Sequence, residues 1–180
     1  MDVFTDFTRP RHARTCAFCP IKSCCQLNDP DSDFLPGSGW PVRHEATIVP
    51  KGTIFLQNSP FTSVFIVKSG TVKTFHVDER GVETILAFYL PGQMFGFDGI
   101  ASGVHSCSAI ALESTHICRP GVRVLNSTVI ARPNIMQGIL KEISRELNNA
   151  ERRNRWLSQS TAEERVVDFL LDVAKRYRQC

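Results

Sequence analysis

The sequence contains no run of about 18 apolar residues, the length that a membrane-spanning helix needs. Its first stretch, Met1 to Arg14, lacks the apolar core of a secretory signal, so a cytoplasmic chain is expected. Neither sign of charge is in excess: 21 basic side chains against 18 acidic ones leave a formal charge of +3. That excludes a polybasic nucleic-acid tail protein and an acidic disordered one. No Ser-His-Asp order, paired-carboxylate site or glycine-rich phosphate loop stands out, so an enzyme is not expected. What is present is 180 residues, 42% hydrophobic and 22% charged, enough for one well-buried domain with appendages.

Cysteine is the unusual residue. There are seven, an odd count and too few for a disulfide scaffold. A reducing compartment makes metal ligation or redox chemistry the better use for them. Four fall together in Cys16-Ala-Phe-Cys19-Pro-Ile-Lys-Ser-Cys24-Cys25, and the others are Cys107, Cys118 and Cys180. A C-x2-C pair lets two thiolates on a tight turn reach one metal ion or one face of a cluster. A third thiolate five or six residues later can close around it. Spacing alone leaves a structural zinc site, an iron–sulfur cluster and a redox dithiol all open. His12 and His44 are badly spaced for zinc, so a remaining ligand would come from Cys107 or Cys118. Either of these could instead be an inert buried cysteine.

The chain divides by pattern. Asn28 to Gly39 is rich in Asp, Pro, Gly and Ser and reads as a linker. From Ala46 to Ile117, short β-branched and aromatic runs alternate with turn signals. The runs are Thr53–Leu56, Ser63–Val67, Thr71–Val77, Thr84–Leu90 and Ser108–Leu112, a spacing that predicts an all-β sandwich or barrel. From about Pro133 the period becomes helical. Met136, Leu140, Ile143, Leu147, Ala150, Asn154 and Leu157 recur by fours and threes, which predicts a coiled-coil dimer seam with weak members at Ala150 and Asn154. Thr161-Ala-Glu-Glu164 predicts a capping box that starts a second helix, with Val166, Phe169, Leu170 and Val173 as its apolar face.

This order resembles the oxygen-sensing FNR (fumarate and nitrate reduction) regulators of the CRP/FNR superfamily. The resemblance is carried by the N-terminal cysteines, Gly92-Gln-Met-Phe-Gly-Phe-Asp-Gly-Ile100 with Ser102-Gly-Val-His-Ser106, Ala111-Leu-Glu-Ser-Thr-His-Ile-Cys118 and Ala162-Glu-Glu-Arg165. It implies a mainly β fold with α: a double-stranded β-helix of the jelly-roll, cyclic-nucleotide-binding-like kind, followed by a long dimerisation helix. The implied divisions are a cluster-binding segment (1–30), the β-roll (31–130), the dimerisation helix (131–159) and a helix opening the next domain (160–180).

The resemblance also implies a [4Fe–4S] cluster on Cys16, Cys19, Cys25 and Cys118, with Cys24 as the alternative to Cys25 and Cys107 left to packing. In the family oxygen converts and then destroys this cluster, and the intact cluster favours the homodimer that binds DNA. Cyclic-nucleotide sensors of the superfamily carry a Glu and an Arg where this chain has Phe97 and His105, so no cyclic nucleotide is expected. Nothing around His76, His105 or His116 favours haem. The turn Asp78-Glu-Arg-Gly81 resembles a loop through which relatives touch RNA polymerase.

Two departures stand out. The winged helix-turn-helix of about seventy residues that should follow the capping-box helix is not in these 180 residues. A sensory and dimerisation part, acting on DNA only through a longer protein, is therefore expected. Relatives also often place an acidic residue in the seam near Ala150, and Ala150 lacks that repulsion. The resulting expectation is a dimer that loosens on cluster loss. The competing reading is a zinc-binding β-roll adaptor or regulator with no redox role.

Overall fold

Eight antiparallel strands and two helices make up the computed structural model, which describes residues 45–120, 133–159 and 161–178. The strands are β1 (Glu45–Ile48), β2 (Thr53–Phe55), β3 (Phe65–Ser69), β4 (Val72–Val77), β5 (Glu83–Tyr89), β6 (Met94–Phe95), β7 (Ser108–Ala111) and β8 (Thr115–Cys118). The helices are α1 (Pro133–Gln159) and α2 (Ala162–Tyr177). The segment expected at 1–30, the linker Asn28–Gly39 and Cys180 lie outside the described residues. Five strands coincide with the runs expected from the sequence. β1, β6 and β8 fall outside those runs: β6 has two residues, and β1 and β8 each carry a single isoleucine.

The strands form two four-stranded sheets, ordered β1-β8-β3-β6 and β2-β7-β4-β5. This is the expected jelly-roll, and the hydrophobic core lies between the sheets. Ala46, Phe65, Val67, Phe95 and Ile117 come from one sheet, and Phe55, Val72, Tyr89, Ala109 and Ala111 from the other. The rings of Phe55, Phe65 and Phe95 stack at centroid separations of 5.4, 6.3 and 5.2 Å, and Tyr89 joins them at 5.2 Å from Phe95. Ala109 and Ala111 are fully buried opposite this aromatic layer, because small side chains leave the rings their room.

Turns follow their residue chemistry. In the β4–β5 turn the Asp78 carboxylate accepts from the Arg80 amide (3.0 Å) and the Val82 amide (2.8 Å), and Gly81 takes a positive φ of 80°. Gly70, between β3 and β4, has a φ of 84° and lies against β8.

α1 presents two stripes. Ile139, Glu142 and Glu146 turn inward, with Ile139 and Glu142 buried. Met136, Leu140, Ile143 and Leu147, the first four expected seam residues, turn outward, with Leu140 56% and Leu147 60% exposed. Ala150 is half-buried and Asn154 is exposed, while the Leu157 side chain lies outside the described set.

α2 starts with the expected capping box. The Glu164 amide donates to Thr161 Oγ1 (3.3 Å), and the Thr161 amide donates to Glu164 Oε2 (2.8 Å). Its expected apolar face is not buried: among the described residues Val166, Phe169 and Leu170 are exposed, Val173 is only partly covered, and the helix has no buried side chain. It meets the β-roll through Phe169, 5.5 Å from Phe88, and through Arg176, whose Nη1 donates to the Phe88 carbonyl at 2.7 Å.

The two glycine turns predict different mutational costs. A Cβ on Gly81 meets nothing within 4 Å, so Gly81→Ala carries only the left-handed backbone penalty of about 1–2 kcal/mol. A Cβ on Gly70 would sit 2.5 Å from Thr115 Oγ1 and 2.8 Å from the Ser114 carbonyl and Thr115 Cα. Gly70→Ala therefore adds about 1–3 kcal/mol of overpacking. Urea unfolding of the two variants should rank them in that order.

Candidate functional site

The distal thiol of the expected ligand set lies where two strands meet. Cys118 is the last residue of β8, and it is buried. Its register partners are Glu45 on β1 and Ile66 on β3. Glu45 opens β1, so the chain coming from the N-terminal cysteines enters the sheet directly opposite Cys118. Two pairs inward, Thr47 Oγ1 lies 3.2 Å from His116 Nδ1, on the exposed side of the same ladder. Cys16, Cys19, Cys24 and Cys25 lie outside the described residues. Among the described residues no three His, Cys, Asp or Glu side chains are grouped to hold a metal ion.

Cys107, read from the sequence as a packing residue, is buried in the core cluster. Its thiol donates to Asp98 Oδ2 at 3.5 Å, and burial together with the Asp98 charge pushes its pKa up to about 12. Such a thiol stays protonated and is a poor ligand or nucleophile.

Asp98 is the residue that sequence reasoning missed. It sits in a single 3-10 turn, Phe97–Gly99, after Gly96, whose φ is 85°. Its carboxylate faces His105 Nδ1 at 3.0 Å and accepts from the Ser106 amide at 2.7 Å and the Ser106 hydroxyl at 3.2 Å. Burial would raise the Asp98 pKa. The hydrogen bond and charge of His105, with the Ser106 amide and the Cys107 thiol, outweigh burial and hold it below the usual carboxylate value. The visible signal was an aspartate between two glycines in Gly96-Phe-Asp-Gly99, which read only as turn chemistry.

A second site missed from the sequence joins α1 to β5. The Tyr89 hydroxyl donates to Glu146 Oε2 at 3.1 Å, and buried Glu142 pairs with Arg145 Nη1 at 3.1 Å. Around the outside of this contact, Asp172 of α2 is bridged by Arg152 and by Arg176, whose Nε is 2.8 Å from Asp172 Oδ2. No periodicity marks a carboxylate for burial, so the inward stripe of α1 was not legible.

Comparison with known proteins gives a consistent picture. The cyclic nucleotide-binding domain family matches residues 47–127. The transcriptional activator Anr of Pseudomonas protegens is 32% identical over 171 residues, 93% of this chain and 67% of that protein. The fumarate and nitrate reduction regulatory protein of Salmonella typhi is 30% identical, over 91% of this chain and 66% of that one. The chain thus spans about two thirds of the length of these curated relatives. Among solved structures, FixK2 of Bradyrhizobium japonicum superposes with a TM-score of 0.69 at 26% identity, covering 74% of this chain and 66% of that one. The first of these relatives is named a transcriptional activator and the second a regulatory protein. No helix among the described residues is long and apolar enough to cross a membrane.

The Tyr89–Glu146 contact carries a pH prediction. Burial raises the Glu146 pKa above the usual glutamate value. The Tyr89 hydrogen bond and the charges of Arg153 and Arg176 oppose this, and Glu142 adds to it. The folded chain therefore holds this proton more tightly than the unfolded chain, and ionisation of Glu146 costs stability as pH rises through its folded pKa. Glu146→Gln, which keeps an acceptor for Tyr89, should raise the urea midpoint at about pH 7.5. The difference from the parent protein should shrink toward about pH 4, where a glutamate is largely protonated in either state.

Proposed function

Because this chain belongs to the CRP/FNR family of transcription regulators, among its FNR- and Anr-type members, we propose that it is the sensory and dimerisation part of an oxygen-sensing iron–sulfur regulator. The observation that carries this reading is the pairing of Glu45 with Cys118. Residues 26–44 separate Cys25 from that pair, and a chain of that length reaches up to ~65 Å when extended. Cys16, Cys19 and Cys25 can therefore return to Cys118 without strain, and four thiolates are the donor set that iron–sulfur clusters take. Cys24 stays the alternative to Cys25. A [4Fe–4S] cluster held there would supply an oxidation-labile iron–thiolate link between the N-terminal segment and β8.

The chain's own residues account for how such a link could be read out. β8 is hydrogen-bonded to β1 on one side and β3 on the other, so a tether at Cys118 bears on three strands of one sheet. The outward stripe Met136, Leu140, Ile143 and Leu147 is apolar and exposed, as expected of a helix that pairs with a second copy. Half-buried Ala150 and exposed Asn154 leave the rear of that seam weak, which lets a modest change in support shift the dimer. DNA binding would belong to the dimeric longer protein. The exposed Asp78–Gly81 turn, stapled by the Asp78 carboxylate, is the surface offered to RNA polymerase. Cyclic nucleotide binding is not part of the proposal: His105 is engaged by Asp98, and Phe97 offers no carboxylate.

Two experiments test the reading. Protein prepared without oxygen should be brown, carry about four irons per chain and bleach in air. Cys118→Ala should lose most of that iron while remaining folded. Cys25→Ala should behave likewise, and Cys24→Ala should retain iron. A colourless, air-stable protein with one zinc per chain would refute it. For the seam, Leu147→Glu should leave monomer stability within about 0.5 kcal/mol, as for exposed sites. It should weaken the cluster-bound dimer by about 100-fold or more, measured by ultracentrifugation. Equal dimer content with and without cluster would sink the coupling.

A further inference from the structure

We propose that Asp98 is a built-in anion: its carboxylate fills a preformed oxyanion slot lined by His105, the Ser106 amide and hydroxyl, and the Cys107 thiol, and this slot binds a small carboxylate such as formate once the Asp98 side chain is removed. Four donors converge on this one side chain. Oδ2 takes the Ser106 amide at 2.7 Å, the Ser106 hydroxyl at 3.2 Å and the Cys107 thiol at 3.5 Å, and Oδ1 faces His105 Nδ1 at 3.0 Å. An ionised carboxylate only accepts, so Nδ1 carries the hydrogen.

The donors are held in place by contacts that do not involve Asp98. His105 is 2% exposed and lies flat against Phe55, with ring centroids 3.8 Å apart and planes within 13°. Phe61 meets it edge-on at 5.5 Å. Its backbone is fixed from both sides, donating to the Ser59 carbonyl (2.9 Å) and accepting from the Asn58 amide (2.7 Å). His76 Nδ1 lies 3.2 Å from the Ser106 carbonyl, and Ser108 Oγ accepts from the Gln57 amide at 3.0 Å. The carboxylate arrives from a different loop, the 3-10 turn after Gly96. The Asp98 side chain is 20% exposed, so the slot opens to solvent and a small solute can enter it.

A slot occupied from within needs no soluble ligand to fix residues 96–107. The loop between β6 and β7 then has one conformation whatever the solute composition, and the β-roll cannot answer to small anions. Shortening Asp98 should convert that ligand-independent loop into an anion-dependent one.

The test is chemical rescue on the full chain. Asp98→Ala and Asp98→Gly should each have a lower thermal midpoint in sodium chloride than the parent protein. Sodium formate at the same ionic strength should raise it saturably, and at ten times its Kd formate should shift the unfolding equilibrium by about 11-fold. The parent protein should show no such difference between the two salts, and adding His105→Phe to Asp98→Ala should abolish the rescue. Where a variant does not stay folded in chloride, recovery of folded protein on dilution from urea into each salt gives the same readout. Equal behaviour in formate and chloride for both variants, or an equal formate effect on the parent protein, would overturn the proposal.

Discussion

The antiparallel pairing of β1 with β8 is the constraint on which the rest of this architecture turns. It sets the first strand to leave the cysteine-bearing segment beside the strand that ends in Cys118, with Glu45 opposite that residue. β8 in turn pairs with β3, which supplies Phe65 and Val67 to the core. A pull on β8 therefore acts directly on strands that hold the aromatic layer, and that layer is packed against the second sheet by Phe55 and Tyr89. Close-packed interiors transmit such strain instead of absorbing it. Tyr89 also donates a hydrogen bond to Glu146 of α1. A continuous run of packed and hydrogen-bonded groups thus connects the strand bearing Cys118 with the helix bearing the proposed dimer seam.

The polar character of the α1 contact matters for how that run could work. An apolar interface would hold the helix more firmly, because burying carboxylates has a desolvation cost that pairing only partly recovers. Here Glu142 is 3% exposed and Glu146 is pushed toward its protonated form by burial. The helix is seated by contacts that depend on geometry and charge, while its apolar residues Met136, Leu140, Ile143 and Leu147 are left on the other side. Ile139 is the inward apolar anchor of α1, but the outward placement of Met136, Leu140, Ile143 and Leu147, with Glu142 and Glu146 turned inward, leaves an apolar face suited to a partner.

Much of this was legible in the residues. Runs of β-branched and aromatic residues cut by turn signals marked five strands, the change of period at Pro133 marked the long helix, and Thr161 with Glu164 marked the capping box to the residue. The outward apolar stripe of α1 was legible because Met136, Leu140, Ile143 and Leu147 keep a 3.5-residue period over two heptads. The strands β1, β6 and β8 were not legible, since β6 has two residues and β1 and β8 each carry a single isoleucine among Glu, Ala, Thr, His and Cys. Neither were Asp98, Glu142 and Glu146. Their roles come from burial and from partners 7, 3 and 57 residues away in sequence, and a single carboxylate letter carries no mark of either. The apolar face of α2 was legible, but not how far it is covered: an amphipathic pattern shows that a face wants cover, not which stretch of chain supplies it.

His105 shows how these levels interact. By sequence it stands where cyclic-nucleotide sensors of the superfamily carry an arginine, and histidine cannot make that residue's bidentate contact. In the fold it is a buried ring on Phe55 whose Nδ1 is turned to Asp98. The substitution has therefore done more than delete a ligand contact, because the chain supplies its own carboxylate to the donors that remain. On that proposal, the response would fall to the chain that leads into Glu45, opposite Cys118, and to the helices held through Glu146 and Arg176. If the slot is filled from within as proposed, the β-roll would serve as a coupler between those ends, which suits the proposed regulator, whose signal would arrive through a cofactor at its edge.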